Sequence, residues 1–208
     1  MKVILKSMKF KCVFIIKEYF KNNKHFVEML DPDNLTKQSN RKYIFLEFKY
    51  KENNLLIPLR SEMPNISKLG QVGYKVPSEY KPNAGLDYRK ILIINDENYI
   101  EEPKYIKIPK SQVRIIEANY NIIEKQVIAY VEGYIKAVKK NRHLKDKKFC
   151  YSTLHNFHKE LKIDKLKEVK KDFIEENKEV AITKTVGIKD IINKASKKAN
   201  EYNKKNKN

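Results

Sequence analysis

The chain has 208 residues, with 45 Lys and Arg against 26 Asp and Glu, a formal charge of +19 with histidine neutral. At 41% apolar and 34% charged it is less oily than an average globular chain, but 13 tyrosines and 9 phenylalanines can anchor a core, which argues against wholesale disorder. A membrane span needs a run of ~18 uncharged residues, and the apolar N-terminal stretch is cut by Lys6, Lys9, Lys11 and Lys17.

The only cysteines, Cys12 and Cys150, form no paired metal or disulfide framework, so the expectation is a soluble, unexported protein in the reducing cytoplasm. The positive charge favours a polyanionic partner, nucleic acid well ahead of anionic membrane. Only five of the basic residues are arginines: Arg41, Arg60, Arg89, Arg114 and Arg142. A planar guanidinium grips phosphate bidentately, so these scarce positions are more informative than the many lysines.

Residues 9–16 are β-branched and aromatic and predict a buried strand, although Phe10, Val13, Phe14 and Ile16 also fit a short helix. EYFKNNKHFVEML follows and leads into DPDNLTKQSN, where turn formers accumulate and no apolar period survives, so this stretch is expected to be a loop ending at Arg41. KYIFLEFKY alternates faces, and LLIPLR follows Lys51–Asn54, which predicts a β-hairpin. Pro58 lacks a ladder donor and places the second strand at a sheet edge there, or takes it out of the sheet near Leu59.

The Pro- and Gly-rich stretch 61–85 reads as a long irregular segment of functional or mobile character. Ile91–Ile94 is expected to be a strand buried on both faces. From Pro109 to Lys140, apolar residues recur at three- and four-residue steps and predict one long amphipathic helix, interrupted if anywhere at Gly133. A short helix is expected from Ser152, with Leu154, Phe157, His158 and Leu161 on one face. Beyond residue 161 sparse apolar positions in Lys/Glu/Asn-rich sequence suggest marginal helices and a frayed basic end, and the whole reads as α+β.

The strongest chemical constellation is IPLRSEMP, residues 57–64, where a strand delivers Arg60 and Ser61 to the mouth of a basic loop. A guanidinium and a hydroxyl placed there can hold two oxygens of one phosphate and stabilise charge as an adjacent ribose 2′-hydroxyl attacks it. The blander alternative is a strand-ending serine beside a solvated arginine. Asp87 beside Arg89 reads as a cap or ion-pair partner before it reads as a catalytic carboxylate.

Tyr74, Lys75, Tyr80 and Lys81 interleave rings with bases, which suits stacking on splayed bases while holding the backbone, and Arg89 belongs to the same basic set. The run Lys136–Lys148 carries seven bases and one acid, and its Lys139, Lys140 and Arg142 could line a wall for RNA. His155 and His158 with Cys150 upstream lack a convincing fourth ligand, so no metal site is expected; His155 could instead contact RNA phosphate.

RKYIFLEFKYKENNLLIPLRSEMP, with NAGLDYRKILII and YSTLHNFHKEL further on, resembles the endoribonuclease toxins of type III toxin–antitoxin systems, the ToxN, AbiQ and TenpN group, and looks most like its TenpN-like members. The resemblance covers residues 9–161. It implies a small, strongly bent antiparallel barrel-like core similar to Kid and MazF, followed by a long helix and further C-terminal helices. It implies metal-independent, sequence-preferring cleavage of single-stranded RNA, without cofactors, and inhibition by a repeated pseudoknot RNA.

By that resemblance Ser61 is central to catalysis, Arg60 takes the polar position before it as in the TenpN-like branch, and Tyr43 matches an aromatic of the first hairpin strand. A ToxN-type lysine could be Lys42, Lys49 or Lys75, with Lys42 also expected to touch RNA. Toxins would meet neighbouring toxins through RNA in a closed assembly with little direct protein contact. The expected organisation is thus an endoribonuclease domain, 1–161, and a basic helical extension, 162–208. A non-catalytic RNA-binding protein is the alternative from another class; a DNA-binding repressor is weaker because no helix-turn-helix is evident.

Overall fold

An apolar run broken only by Lys11 starts the sheet: in the computed structural model, which describes residues 9–65, 69–105 and 108–163, strand β1 spans Phe10–Ile15. Phe10, Cys12, Val13 and Ile15 are buried in it. Helix α1, Lys17–Asn22, follows immediately and turns Tyr19 and Phe20 into the core. The stretch expected to be a loop contains a second short helix, α2, Leu35–Ser39. Its cause is local: the Asn34 side chain accepts from the Lys37 backbone N–H at 2.8 Å, an N-cap that the loop-like composition conceals.

The predicted hairpin is present as β2, Tyr43–Tyr50, and β3, Asn53–Arg60. Its turn is tighter than the sequence suggests, with Lys51 and Glu52 both at positive φ (48° and 70°) and Asn53 already paired with Tyr50. A two-residue loop of this hand matches the twist of the flanking strands. The register shifts between Phe45 and Lys49, an irregularity that bends the ribbon.

Pro58 does not lie at an edge. Strand β3 is central, pairing with β2 on one side and on the other with two short strands, β5 (Gly85–Asp87) and β6 (Leu92–Ile93). Leu56 pairs with Leu92 and Leu59 with Leu86, so the partner changes across Pro58. The Leu59 N–H donates to Lys42 O at 2.9 Å, so residue 58 turns its nitrogen away from β2 and into that break, where no donor is required.

The irregular segment holds β4, Gly73–Lys75, which pairs with β5, and β7, Ile100–Glu101, pairs with β1. The path is β4-β5-β3-β2-β1-β7 with β6 against β3, an antiparallel sheet that stays open between β4 and β7 among the described residues. The architecture is therefore α+β, but barrel-like closure is not what these pairings give. The strands from β4 onward are only two or three residues long, too short to wrap the sheet onto itself.

The long helical segment is two helices, α3, Lys110–Ala118, and α4, Tyr120–Lys139. The break is at Asn119, whose backbone leaves the helical region and whose side chain donates to Ile115 O at 2.8 Å. Gly133 lies within α4 and serves packing: a Cβ there would stand 3.1 Å from the Phe149 ring. Ile123, Val127, Tyr130, Val131, Tyr134 and Val138 of α4 are buried, each contributing on the order of 1.5–3 kcal/mol of apolar burial.

Ile91–Ile94 is buried throughout, as expected of a strand covered on both faces. The helix expected from Ser152 is a single 3₁₀ turn, Thr153–Asn156, capped by the Ser152 hydroxyl accepting from Leu154 N–H. No helix among the described residues is long and apolar enough to cross a membrane. The expected helical extension lies, from residue 164 on, outside the described residues.

Candidate nucleic-acid cleft

Where β3 leaves the sheet, the chain opens a cleft of about 510 Å³. β3 contributes Leu59 and Arg60 with Ser61 just beyond, the approach to β2 contributes Arg41 and Lys42, α2 contributes Thr36 and Lys37, and the loop after β4 contributes Ser78, Tyr80 and Lys81. Five bases, Lys37, Arg41, Lys42, Arg60 and Lys81, thus face one described carboxylate, Asp31, which is ion-paired to Arg41. Ser61 and Lys81 are exposed, and Tyr80 stands 85% exposed at the rim, an unstacked ring beside positive charge.

Arg60 is held rather than loose. Its Nη1 donates to Asp87 Oδ2 at 2.9 Å, and Asp87 is fully buried. The same carboxylate accepts from Arg89 Nε at 3.0 Å, Arg89 Nη2 at 2.9 Å and the Arg89 backbone N–H at 3.2 Å. Asp87 therefore acts as turn cap and ion-pair partner at once, the structural one of its two expected roles. Two guanidiniums on one carboxylate leave a net positive charge at the cleft wall, and Arg60, 25% exposed, carries it to the surface.

The bend after Ser61 is tied to the next loop: Met63 N–H donates to Asn83 O at 2.9 Å and Asn83 Nδ2 donates to Glu62 Oε1 at 2.8 Å. Gly85 lets β4 and β5 approach beneath this bend, since a Cβ there would lie 2.6 Å from Tyr74 O and 2.8 Å from Met63 Cγ.

Of the residues expected at a site, Lys42, Arg60, Ser61 and Lys81 meet in this cleft. Tyr74 and Lys75 line a separate cavity of about 800 Å³ that also takes Glu62, Asn83 and Gln126. Lys49 is exposed on β2 and lines neither.

Tyr43 does not face the cleft: it is 3% exposed in the core, and burial drives its phenol pKa far upward, against a partial opposing pull from Arg41. Arg89, 7% exposed and bound to Asp87, is not an RNA-facing side chain. Lys139 and Lys140 are exposed at the end of α4 and Arg142 pairs with Asp146 at 3.2 Å, all away from the cleft lining. His155 turns inward to Tyr134 rather than out to phosphate.

Tyr80, expected to stack on bases, and Arg41, marked as one of the scarce arginines, join the cleft too, whereas Lys37 joins it without any signal in the sequence motifs. Only the Asn34 cap, which turns the supposed loop into α2, hints that Lys37 is presented from a helix. Nearby, Lys90 reaches Glu28 O at 2.6 Å, Glu28 Oε2 at 3.2 Å and Tyr151 O at 2.8 Å; burial lowers its pKa and the bond to Glu28 opposes that.

No family model matches the chain, and no curated relative does. Two solved structures are similar to it. One, described by the words "A processed non-coding RNA regulates a bacterial antiviral system", is 17% identical and aligns over 67% of this chain and 93% of that one, with a TM-score of 0.46. The other is AbiQ, a lactococcal anti-phage endoribonuclease belonging to the type-III toxin-antitoxin system, 15% identical over 69% of this chain and 87% of that one, also with a TM-score of 0.46. AbiQ falls within the group that the sequence motifs resemble. Likeness at this level assigns no residue its role, and the chemistry of the cleft itself decides what it can do.

Proposed function

We propose that this chain is an endoribonuclease toxin of the type III toxin–antitoxin kind, cutting single-stranded RNA and held in check by a repeated RNA. The observation that carries the reading is the convergence of Ser61, an anchored Arg60 and four further bases on one cleft. Its charge suits the phosphates of an RNA strand, and Tyr80 offers a face for a base.

The chemistry needs no nucleophile from the protein. The substrate's 2′-oxygen attacks the adjacent phosphorus and the bond to the 5′-oxygen breaks, leaving a 2′,3′-cyclic phosphate and a 5′-hydroxyl. One proton leaves the 2′-hydroxyl and one reaches the departing 5′-oxygen. Arg60 and Ser61 would orient the phosphate and stabilise its equatorial oxygens as charge builds. A metal-assisted route would need carboxylates to hold cations, and the described lining offers only Asp31, already on Arg41.

The test is induction of wild type and Ser61→Ala in a heterologous bacterium with 5′-end mapping of cellular RNA. Loss of one stabilising donor is expected to slow cleavage about 10²-fold or more, so new ends at a shared motif should appear with wild type alone. Equal cleavage by both proteins refutes the assignment of Ser61. No cleavage by soluble wild type reassigns the cleft to an RNA-binding module.

A further inference from the structure

Away from the cleft, the chain gathers three of its four histidines. His143 comes from the turn after α4, His155 from the 3₁₀ turn Thr153–Asn156, and His158 from just beyond it. One ring nitrogen of each lies within 4.8 Å of the other two. All three are half-buried, and the rings pack around Tyr134 of α4 at centroid distances of 5.5–6.0 Å. We infer that this cluster is a three-histidine site for a divalent late transition metal, of which Zn²⁺ is the physiological candidate.

The hydrogen bonds fix which nitrogens an ion would have to win from Tyr134. His155 Nε2 stands 3.3 Å from Cys150 O, a carbonyl that can only accept, so the proton sits on Nε2 and Nδ1 keeps its lone pair. That Nδ1 is 2.8 Å from the Tyr134 hydroxyl, which therefore donates to it. The hydroxyl has one hydrogen, so at its second contact, His158 Nε2 at 2.8 Å, it accepts and that Nε2 carries the proton. An ion would replace the Tyr134 hydrogen at His155 Nδ1 and move the His158 proton to its other nitrogen or to solvent, so binding releases the Tyr134 hydroxyl from both rings. The bond from His155 to a backbone carbonyl is the outer contact that orients metal-binding imidazoles.

Donor chemistry selects the ion. Three imidazoles without a carboxylate suit Zn²⁺, Ni²⁺, Co²⁺ or Cu²⁺, not Mg²⁺ or Ca²⁺, which demand oxygen. A tetrahedral Zn²⁺ with ~2.0–2.1 Å bonds would draw ligand nitrogens to about 3.3 Å apart, a modest contraction for rings carried on turns, with water as fourth ligand.

Thr153, two residues before His155, donates through its hydroxyl to Ile91 O, with Arg89 O a longer second acceptor at 3.3 Å. An ion on the cluster would thus pin the segment 143–158 behind the Arg89–Asp87–Arg60 network, a structural role independent of the cleft's chemistry.

The experiment is titration of the full-length, tag-free chain with Co²⁺, followed by displacement with Zn²⁺. One equivalent of Co²⁺ should produce visible ligand-field absorption that Zn²⁺ abolishes and Mg²⁺ leaves intact. His143→Ala and, keeping side-chain bulk, His143→Gln should weaken binding about 100-fold or more, with circular dichroism confirming the fold. His25→Gln, at the histidine outside the cluster, should bind as wild type. Absence of a stoichiometric band in wild type overturns the proposal. So does wild-type affinity in both His143 variants, or a thiolate charge-transfer band lost in Cys150→Ser.

Discussion

The cleft at the end of β3 and the histidine-rich end of α4 handle polar side chains in opposite ways. At the α4 end, polar groups are packed among rings: Tyr134 bonds two imidazoles at 2.8 Å, and Phe149 and Tyr130 pack beside them at 5.4 Å. At the cleft, bases are brought together faster than acids can neutralise them, with Asp31 and Asp87 the carboxylates that touch its arginines. A surface of like charges costs stability through repulsion, and it is tolerated where a polyanion completes it. The contrast separates an enclosed ring cluster, of a size for a single cation, from an open cleft charged for a polyanion.

The sharpest way to break the contrast is at Asp87, the buried residue that anchors the cleft's Arg60. It is fully buried and accepts from both Arg60 and Arg89. Removing its charge with Asp87→Asn leaves Arg89 buried without a counter-charge, and such losses cost about 3 kcal/mol or more. Chemical denaturation should show that drop, together with reduced RNA cleavage as Arg60 loses its anchor. A stability change below about 0.5 kcal/mol would mean that the pair is solvated and that Arg60 is not positioned by it.

The cleft's charge can be tested without touching the core. Lys37→Glu and Lys81→Glu alter exposed lining residues. Each should weaken binding of a non-cleavable single-stranded RNA and flatten the salt dependence by about 0.7 for every phosphate left unneutralised. The same reversal at Lys139, exposed at the end of α4, should change the slope less. An equal effect at Lys139 would extend the RNA surface to the basic run after α4 and blur the line between the regions.

What the sequence makes legible follows from how local each cause is. The hairpin is readable because alternation and turn chemistry lie within twenty residues, and β1 because its β-branched and aromatic residues favour a strand over the short helix that their spacing also fits. Ser61 and Arg60 are expected at a strand end, and found there, because they follow directly on that hairpin.

Pro58 misleads because its local meaning, an edge, is overridden by a partner change visible only once β5 and β6 are in place. The periodicity of 109–140 survives across Asn119, so the break there is hidden, while Gly133, conspicuous in sequence, fills a packing role instead. His143 is invisible as a partner of His155 and His158 because the residues between them fold back over α4. The pairing of Arg89 with Asp87 is legible from their spacing, but not that Arg89 gives three donors to that carboxylate and is buried by it, which ends the RNA contact also expected of it.

The smallest expected effect falls on the residue where resemblance and geometry part. The motif resemblance nominates Tyr43 for catalysis, but β2 carries it into the core at 3% exposure, paired with Pro58 rather than facing Ser61 across the cleft. Its phenol is held protonated by burial through the neutral range, which removes it as a proton acceptor there. Tyr43→Phe keeps the ring that packs and deletes only the hydroxyl. Cleavage by this variant is expected to stay within about twofold of wild type, an effect smaller than ~0.5 kcal/mol in the barrier. A loss of tenfold or more, with unchanged thermal stability, would show that the hydroxyl acts on the reaction, and the boundary drawn here between an enclosed core and an open basic cleft would have to move by one strand position.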